Sequence, residues 1–262
     1  MRLAKKLIVM SGLVCVMLFT GCTPRDAGVT DKGTSQGDNW DAIKRLPDWS
    51  GAWSQLNDQR GNFEDCCIVG AGKAPFTPEY QKIRDAAAKR IQEGAPGGFN
   101  LAQCLPDGVP GLLLHGIAFQ FFYGPGRVTM LFENGEVRRI FTDGRQHLDE
   151  NKYRSVEGHS IGHWEGDTLV VDTVGMRVEA SLFLTNGMKV TKDTHVVERF
   201  HLKDKDTLQI DTEITDPQIF TQPYKYTRLH SRSLREEDFV VGCAMSARDN
   251  QETVDLTPPP EY

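Results

Sequence analysis

The sequence predicts a mainly β protein: an antiparallel β-barrel with one N-terminal helix, with a β-sandwich as the alternative. Three observations carry this expectation. From about residue 112 onward the 262-residue chain breaks into strand-length runs separated by Gly, Asp and Lys turns. Asn134-Gly135 lies between Arg127–Glu133 and Glu136–Thr142, the strongest short-range hairpin signal. Asp167-Thr-Leu-Val-Val-Asp-Thr173 returns as Asp206-Thr-Leu-Gln-Ile-Asp-Thr212, each time after a strand and a tight turn. A run of eight or so such strands leaves open edges unless the sheet closes or stacks.

In chain order, residues 1–21 read as a secretory signal peptide. Arg2, Lys5 and Lys6 precede an apolar run from Leu7 to Phe19, too short for a comfortable membrane span. Leu18-Phe19-Thr20-Gly21-Cys22 resembles a bacterial lipobox, which implies acylation of Cys22 as the first mature residue. The expected location is periplasmic or outer-membrane, with the lipid as the sole membrane attachment. Residues 22–45 are polar and read as a flexible tether. A single domain is expected over 46–250, and residues 251–262 form a tail.

Thr77-Pro78-Glu79 offers a capping hydroxyl, a first-turn proline and an acid, so a helix is expected through Ile83 and Ala86–Ala88 to about Ile91. Residues 54–76 read as a long loop. Strands are expected at Ser160–Trp164, Asp167–Thr173, Thr194–Leu202, Thr207–Thr215, Tyr224–Ser233 and Phe239–Ser246.

Composition narrows the partners. The formal charge is −6, and loss of the three cations of residues 1–21 takes it to −9. With no basic block, nucleic acid is not an expected partner. Of six cysteines, Cys66, Cys67, Cys104 and Cys243 remain once Cys15 and Cys22 are set aside. Three full pairings are open to them. Cys104–Cys243 is preferred because a bridge between the adjacent Cys66 and Cys67 is strained.

The stretches Pro47–Trp53, Cys104–Pro110, Val128–Arg145, Gly158–Gly175 and His195–Pro217 resemble a large group of exported bacterial proteins and lipoproteins. Its motifs read PDxSGxW, TDGR and GHSxGxWEGDTLVVDT here. The resemblance implies a shared fold and names no reaction. The chain departs from that pattern at Leu148, where a proline often follows the histidine, and around Leu112–His115. Gly51-Ala52-Trp53 is also similar to the Gly-x-Trp that opens the first strand of calycins, the lipocalin-like barrels, which implies a calycin-like barrel.

The chemistry expected is acid–base. Asp143-Gly144-Arg145-x-His147 ends one strand pair, and His159 and His163 open the next. In a meander these groups meet near one barrel mouth. His159 is the expected base or acid, Asp143 its orienter, and Arg145 with His163 the stabilisers of negative charge. Phe119, Phe121, Tyr123, Phe132, His147 and Trp164 are the candidate ligand-binding residues, favouring an apolar or aromatic small molecule. The function expected is therefore isomerase, lyase or cyclase chemistry, without a metal or other cofactor. A non-catalytic carrier of hydrophobic molecules is the alternative. Gly158-His-Ser-Ile-Gly162 matches the serine-hydrolase motif and makes a Ser160 esterase a minor one, although no helix follows the serine. Seven histidines contain no His-x-His pair, so no metal ligands are assigned.

Overall fold

A computed structural model describes residues 37–56, 74–93, 106–114, 117–178, 180, 189–233 and 239. Among these, the strands are β1 (Ala52–Gln55), β2 (Phe119–Gly124), β3 (Arg127–Phe132), β4 (Val137–Phe141), β5 (His159–Glu165), β6 (Thr168–Val174), β7 (His195–Asp204), β8 (Thr207–Thr215) and β9 (Tyr224–Ser233). They follow one another round a closed barrel, sealed where β9 pairs antiparallel with β1. Closure removes the sandwich alternative and supports the calycin-like barrel, because no sheet edge is left to stack. The signal peptide, Cys22, Cys104, Cys243 and most of the expected strand Phe239–Ser246 lie outside the described residues.

Among the described residues, two α-helices accompany the barrel. α1 (Trp40–Ile43) falls in the stretch read as tether; Asn39 caps it through an Oδ1 that accepts from the Ala42 N–H at 2.9 Å. α2 (Pro78–Gln92) is the expected helix. Thr77 Oγ1 accepts from the Tyr80 N–H at 3.2 Å and donates to the Gln218 carbonyl at 2.9 Å, so one hydroxyl both caps α2 and docks it on the barrel.

One pairing departs from a simple meander. β4 and β5 run parallel, with Ile140 opposite Ser160 and Phe141 opposite Ile161. A parallel pair cannot be joined by a tight turn, so the connection must travel back along the barrel. Residues 142–158 do this as a strap. Ser155 bridges to Met176, its N–H bonding the Gly175 carbonyl at 3.2 Å, and the Val109 N–H bonds the Val156 carbonyl at 3.3 Å.

Gly108 is where the strap presses on the segment beneath it. Its φ is +66°, and a Cβ there would lie 2.2 Å from the Val156 carbonyl oxygen. Both the left-handed backbone and the overlap penalise a side chain, so Gly108→Ala should cost about 2–4 kcal/mol of stability. The chemical-denaturation midpoint reads this directly, and an unchanged midpoint would mean the strap yields freely.

The barrel interior has three layers, which the strand register makes plain. Toward one end Trp49, Trp53, Phe119, Phe132, Phe200 and Ile210 pack together; toward the other, Val196, Ile214, Tyr224 and Phe220 do. Between them runs a polar belt. On β7 it is Glu198, between Val196 and Phe200; on β8 it is Thr212, between Ile210 and Ile214; on β9 the inward polar residues, Arg228 and His230, continue it into the aromatic layer, opposite Ile210 and Leu208. Arg138 crosses the belt from β4, its Nη2 donating to Glu198 Oε2 and, at 3.0 Å, to Thr173 Oγ1.

Candidate functional site

Alternation along the strands decides what faces out. With Ser160 and Thr173 turned into the barrel, His159 and Asp172 project from its outer surface, as does His195 on β7. Ile161 pairs with Asp172, and Asp172 with Val197, two residues beyond His195. That diagonal suits an imidazole–carboxylate contact. The strap then lays His147 over them.

The result is a chain of four groups. Asp172 Oδ1 lies 2.9 Å from His195 Nε2 and 3.0 Å from His147 Nε2. His147 Nδ1 is in turn 3.1 Å from His159 Nδ1. A carboxylate only accepts, so both His195 and His147 donate through Nε2–H to Asp172. With His147 neutral its Nδ1 is an acceptor, and His159 must supply the Nδ1–H. Each end of the chain then carries one ring nitrogen outside the network, His195 Nδ1 and His159 Nε2.

The two ends differ in access. The His195 side chain is 41% exposed, whereas His159 is 4% exposed, stacked on Phe141 with ring centroids 5.5 Å apart and edge-on to Tyr153. Electrostatics separates them the same way. Burial, then the neighbouring His147 and Arg145, pushes the His159 pKa below the ordinary value, so it stays neutral. The hydrogen bond from Asp172 outweighs burial at His195 and raises its pKa, with the charges of Asp172, Glu150 and Glu213 adding to the effect. At Asp172 burial works upward, but the two imidazoles prevail and hold the carboxyl below its usual range. Groups whose environments push their pKa values apart are the arrangement acid–base chemistry uses.

The raised value at His195 has a stability consequence. A folded pKa above the unfolded one contributes stability that is fully present below the unfolded pKa and is lost as pH rises through the folded value. The stability advantage of the native protein over His195→Ala should therefore be larger at about pH 6 than at about pH 9. Denaturant melts at both values check this, and an advantage that grows with pH would contradict the assignment.

Beside the cluster an open groove of about 430 Å³ crosses β7, β8 and β9, lined by Val197, Arg199, Asp211, Glu213, Lys225 and Thr227. It begins at Val197, the cross-strand partner of Asp172. Its size is that of a small-molecule site.

The expected site residues are distributed unevenly. His147 and His159 belong to the cluster. Asp143 does not orient His159: it is engaged by Arg145, whose Nη2 donates to its Oδ2 at 2.6 Å, and the Arg145 guanidinium sits 3.8 Å over the Phe141 ring. That hydrogen bond holds the Asp143 pKa low. His163 lies further along β5, exposed and paired with Glu165 at 3.1 Å. Four residues along an extended strand carry it about 13 Å from His159.

Phe119, Phe121 and Phe132 are buried in the aromatic layer, with Tyr123 and Trp164 packed against it. The Tyr123 hydroxyl donates to the Pro47 carbonyl at 2.9 Å, so these rings build the core. Ser160 faces inward, 1% exposed, its hydroxyl 2.8 Å from Thr173 Oγ1 and accepting from Arg138 Nε at 3.3 Å. It sits within a strand, not on a strand-to-helix turn, and its hydroxyl meets Thr173 and Arg138 rather than an imidazole, which removes the esterase reading.

Asp172 and His195 were not singled out from the sequence. Asp172 read as part of a repeated strand motif, and His195 as part of the expected strand Thr194–Leu202. The available signal was their outward phase, but the contact appears only once the β6–β7 register is known. In comparisons with protein-family models and with curated proteins, nothing matches the chain.

Proposed function

We propose that this barrel is an acid–base catalyst acting on a small molecule bound in the groove across β7–β9, with His195 as the group that exchanges a proton with it. The observation that carries the reading is the hydrogen-bonded chain His195–Asp172–His147–His159, exposed at His195 and Asp172 and buried at the His159 end. Asp172 fixes the His195 tautomer, leaving Nδ1 directed away from the carboxylate, and stabilises the imidazolium. His195 is cationic below its raised pKa and acts first as the acid; the neutral ring it leaves can then take a proton back. His147 holds Asp172 through Nε2–H and is itself braced by the buried His159. This is the chemistry of an isomerase or lyase, in which one group both gives and receives a proton.

The groove suits a ligand with an apolar body. Val197, Thr227 and the alkyl stems of Arg199 and Lys225 offer it a surface, while Asp211 and Glu213 meet its polar groups. The motifs shared with exported lipoproteins support the same protein working outside the cytoplasm, held to a membrane through lipid on Cys22.

The test is solvent-proton exchange. Small molecules extracted from the purified protein, together with a panel of aromatic and alicyclic ketones, are incubated in D₂O with the native protein or with His195→Ala. The account expects deuterium to enter at carbon beside a carbonyl faster with native protein than with the variant. Equal rates for the two proteins would remove His195 from the chemistry.

A further inference from the structure

Among the described residues, the polar belt inside the barrel is not balanced in charge. Arg138 is neutralised by Glu198, both 1% exposed at their side chains. Arg228, on β9, is 0% exposed and has no carboxylate partner among the described residues. Its Nη2 donates to the Leu114 carbonyl at 3.3 Å, while Nε and Nη1 are buried with no acceptor. Two residues further on the same inward face, His230 is 1% exposed and its Nδ1 is also unpartnered.

These groups are left open at a cost. A buried unpaired donor costs about 1–3 kcal/mol, and more when it is charged. Burial drags the Arg228 pKa down, but only to about 10, so it stays charged at neutral pH. Burial and the Arg228 charge push His230 down to about 3, so it stays neutral and can donate through Nδ1–H. Arg228 is thus a buried cation with no carboxylate partner among the described residues, and its open donors lie on the same inward face of β9 as His230 Nδ1. Water would satisfy the donors but would leave the charge uncompensated.

We propose that the barrel interior binds one small carboxylate per chain, seated against the open guanidinium donors of Arg228 with His230 Nδ1–H completing it. A monoanion balances Arg228, and a planar carboxylate matches a guanidinium. The ligand is compact. The Phe119 ring stands edge-on to His230 at 5.1 Å, and the buried Leu114 accepts from Arg228 through its carbonyl, so a bulky ligand would meet both. The site is separate from the outer histidine cluster and faces the opposite side of the barrel wall.

The experiment uses the full chain, unfolded in denaturant and refolded with ¹³C-labelled acetate or ¹³C-labelled octanoate, then desalted. Native mass spectrometry and ¹³C NMR count what is retained. The expected result is about one acetate per native chain, little octanoate, and at least a tenfold smaller retention of acetate in Arg228→Met. Acetate should also raise the unfolding midpoint of the native protein and leave that of Arg228→Met where it was. A native chain that retains no acetate, or retains as much in Arg228→Met, would overturn the proposal, as would selective retention of octanoate. Should Arg228→Met fail to fold, Arg228→Lys keeps the charge without the planar fork, and the native-chain count stands alone.

Discussion

His195→Ala should lower turnover by about 10²–10⁴-fold, the usual scale for a positioned acid or base, with little change in the unfolding midpoint at neutral pH. His195 is partly exposed and packs no core, so its removal deletes chemistry and not structure. Asp172→Asn should cost turnover on a similar scale. The amide keeps the shape but offers an acceptor without the charge that stabilises the imidazolium, and it competes for the tautomer. His163→Ala is the control: paired with Glu165 at the far end of β5, it should leave turnover unchanged. Because the acidic form of His195 acts first, the native rate should fall as pH rises through its raised pKa. A rate that climbs through the same range would assign the first step to a base. Loss of activity in His163→Ala with retention in His195→Ala would move the chemistry to the other end of β5.

The second large effect is on stability. Glu198→Ala should destabilise the fold by about 3–5 kcal/mol, because it strands the Arg138 guanidinium in the polar belt. Arg138 reaches Glu198, Thr173 and Ser160 at once, so the carboxylate loss also loosens a network spanning four strands. Removing both charges is different. Arg138→Met combined with Glu198→Leu should be near neutral or stabilising relative to the native pair, since desolvation of two ions roughly cancels their attraction. Chemical denaturation of the single and double variants separates these cases. A single variant as stable as the native protein would mean that Arg138 finds water or another acceptor.

Much of the fold was legible in local sequence. Thr77-Pro78-Glu79 started α2 where expected, Asn134-Gly135 made the β3–β4 turn, and the Asp167 and Asp206 copies opened β6 and β8. These are local signals of capping, turn chemistry and period. The parallel β4–β5 pair was not legible, because strand direction is settled by the strap and by long-range pairing, not by the residues within each strand. Long-range pairing, here of β6 with β7, also decided the site. His147 and His159 were visible as candidates, but their supposed partner Asp143 was committed to the neighbouring Arg145. The carboxylate that meets His147, Asp172, came from a strand whose outward residues could be named only after closure. Likewise the aromatic run from Phe119 to Tyr123 alternates, and alternation alone does not say whether the inward side holds a ligand or, as here, packed core.

The central claim is that Asp172 organises the outer histidines and raises the pKa of His195. The most direct measurement is a ¹⁵N-detected titration of the imidazole nitrogens in native protein and in Asp172→Asn. His195 of the native protein should titrate above the ordinary histidine value and His159 below it. In Asp172→Asn the His195 value should fall back to the ordinary range or beneath it. A native His195 that titrates at or below the ordinary value, and is unmoved by the asparagine, would contradict the account.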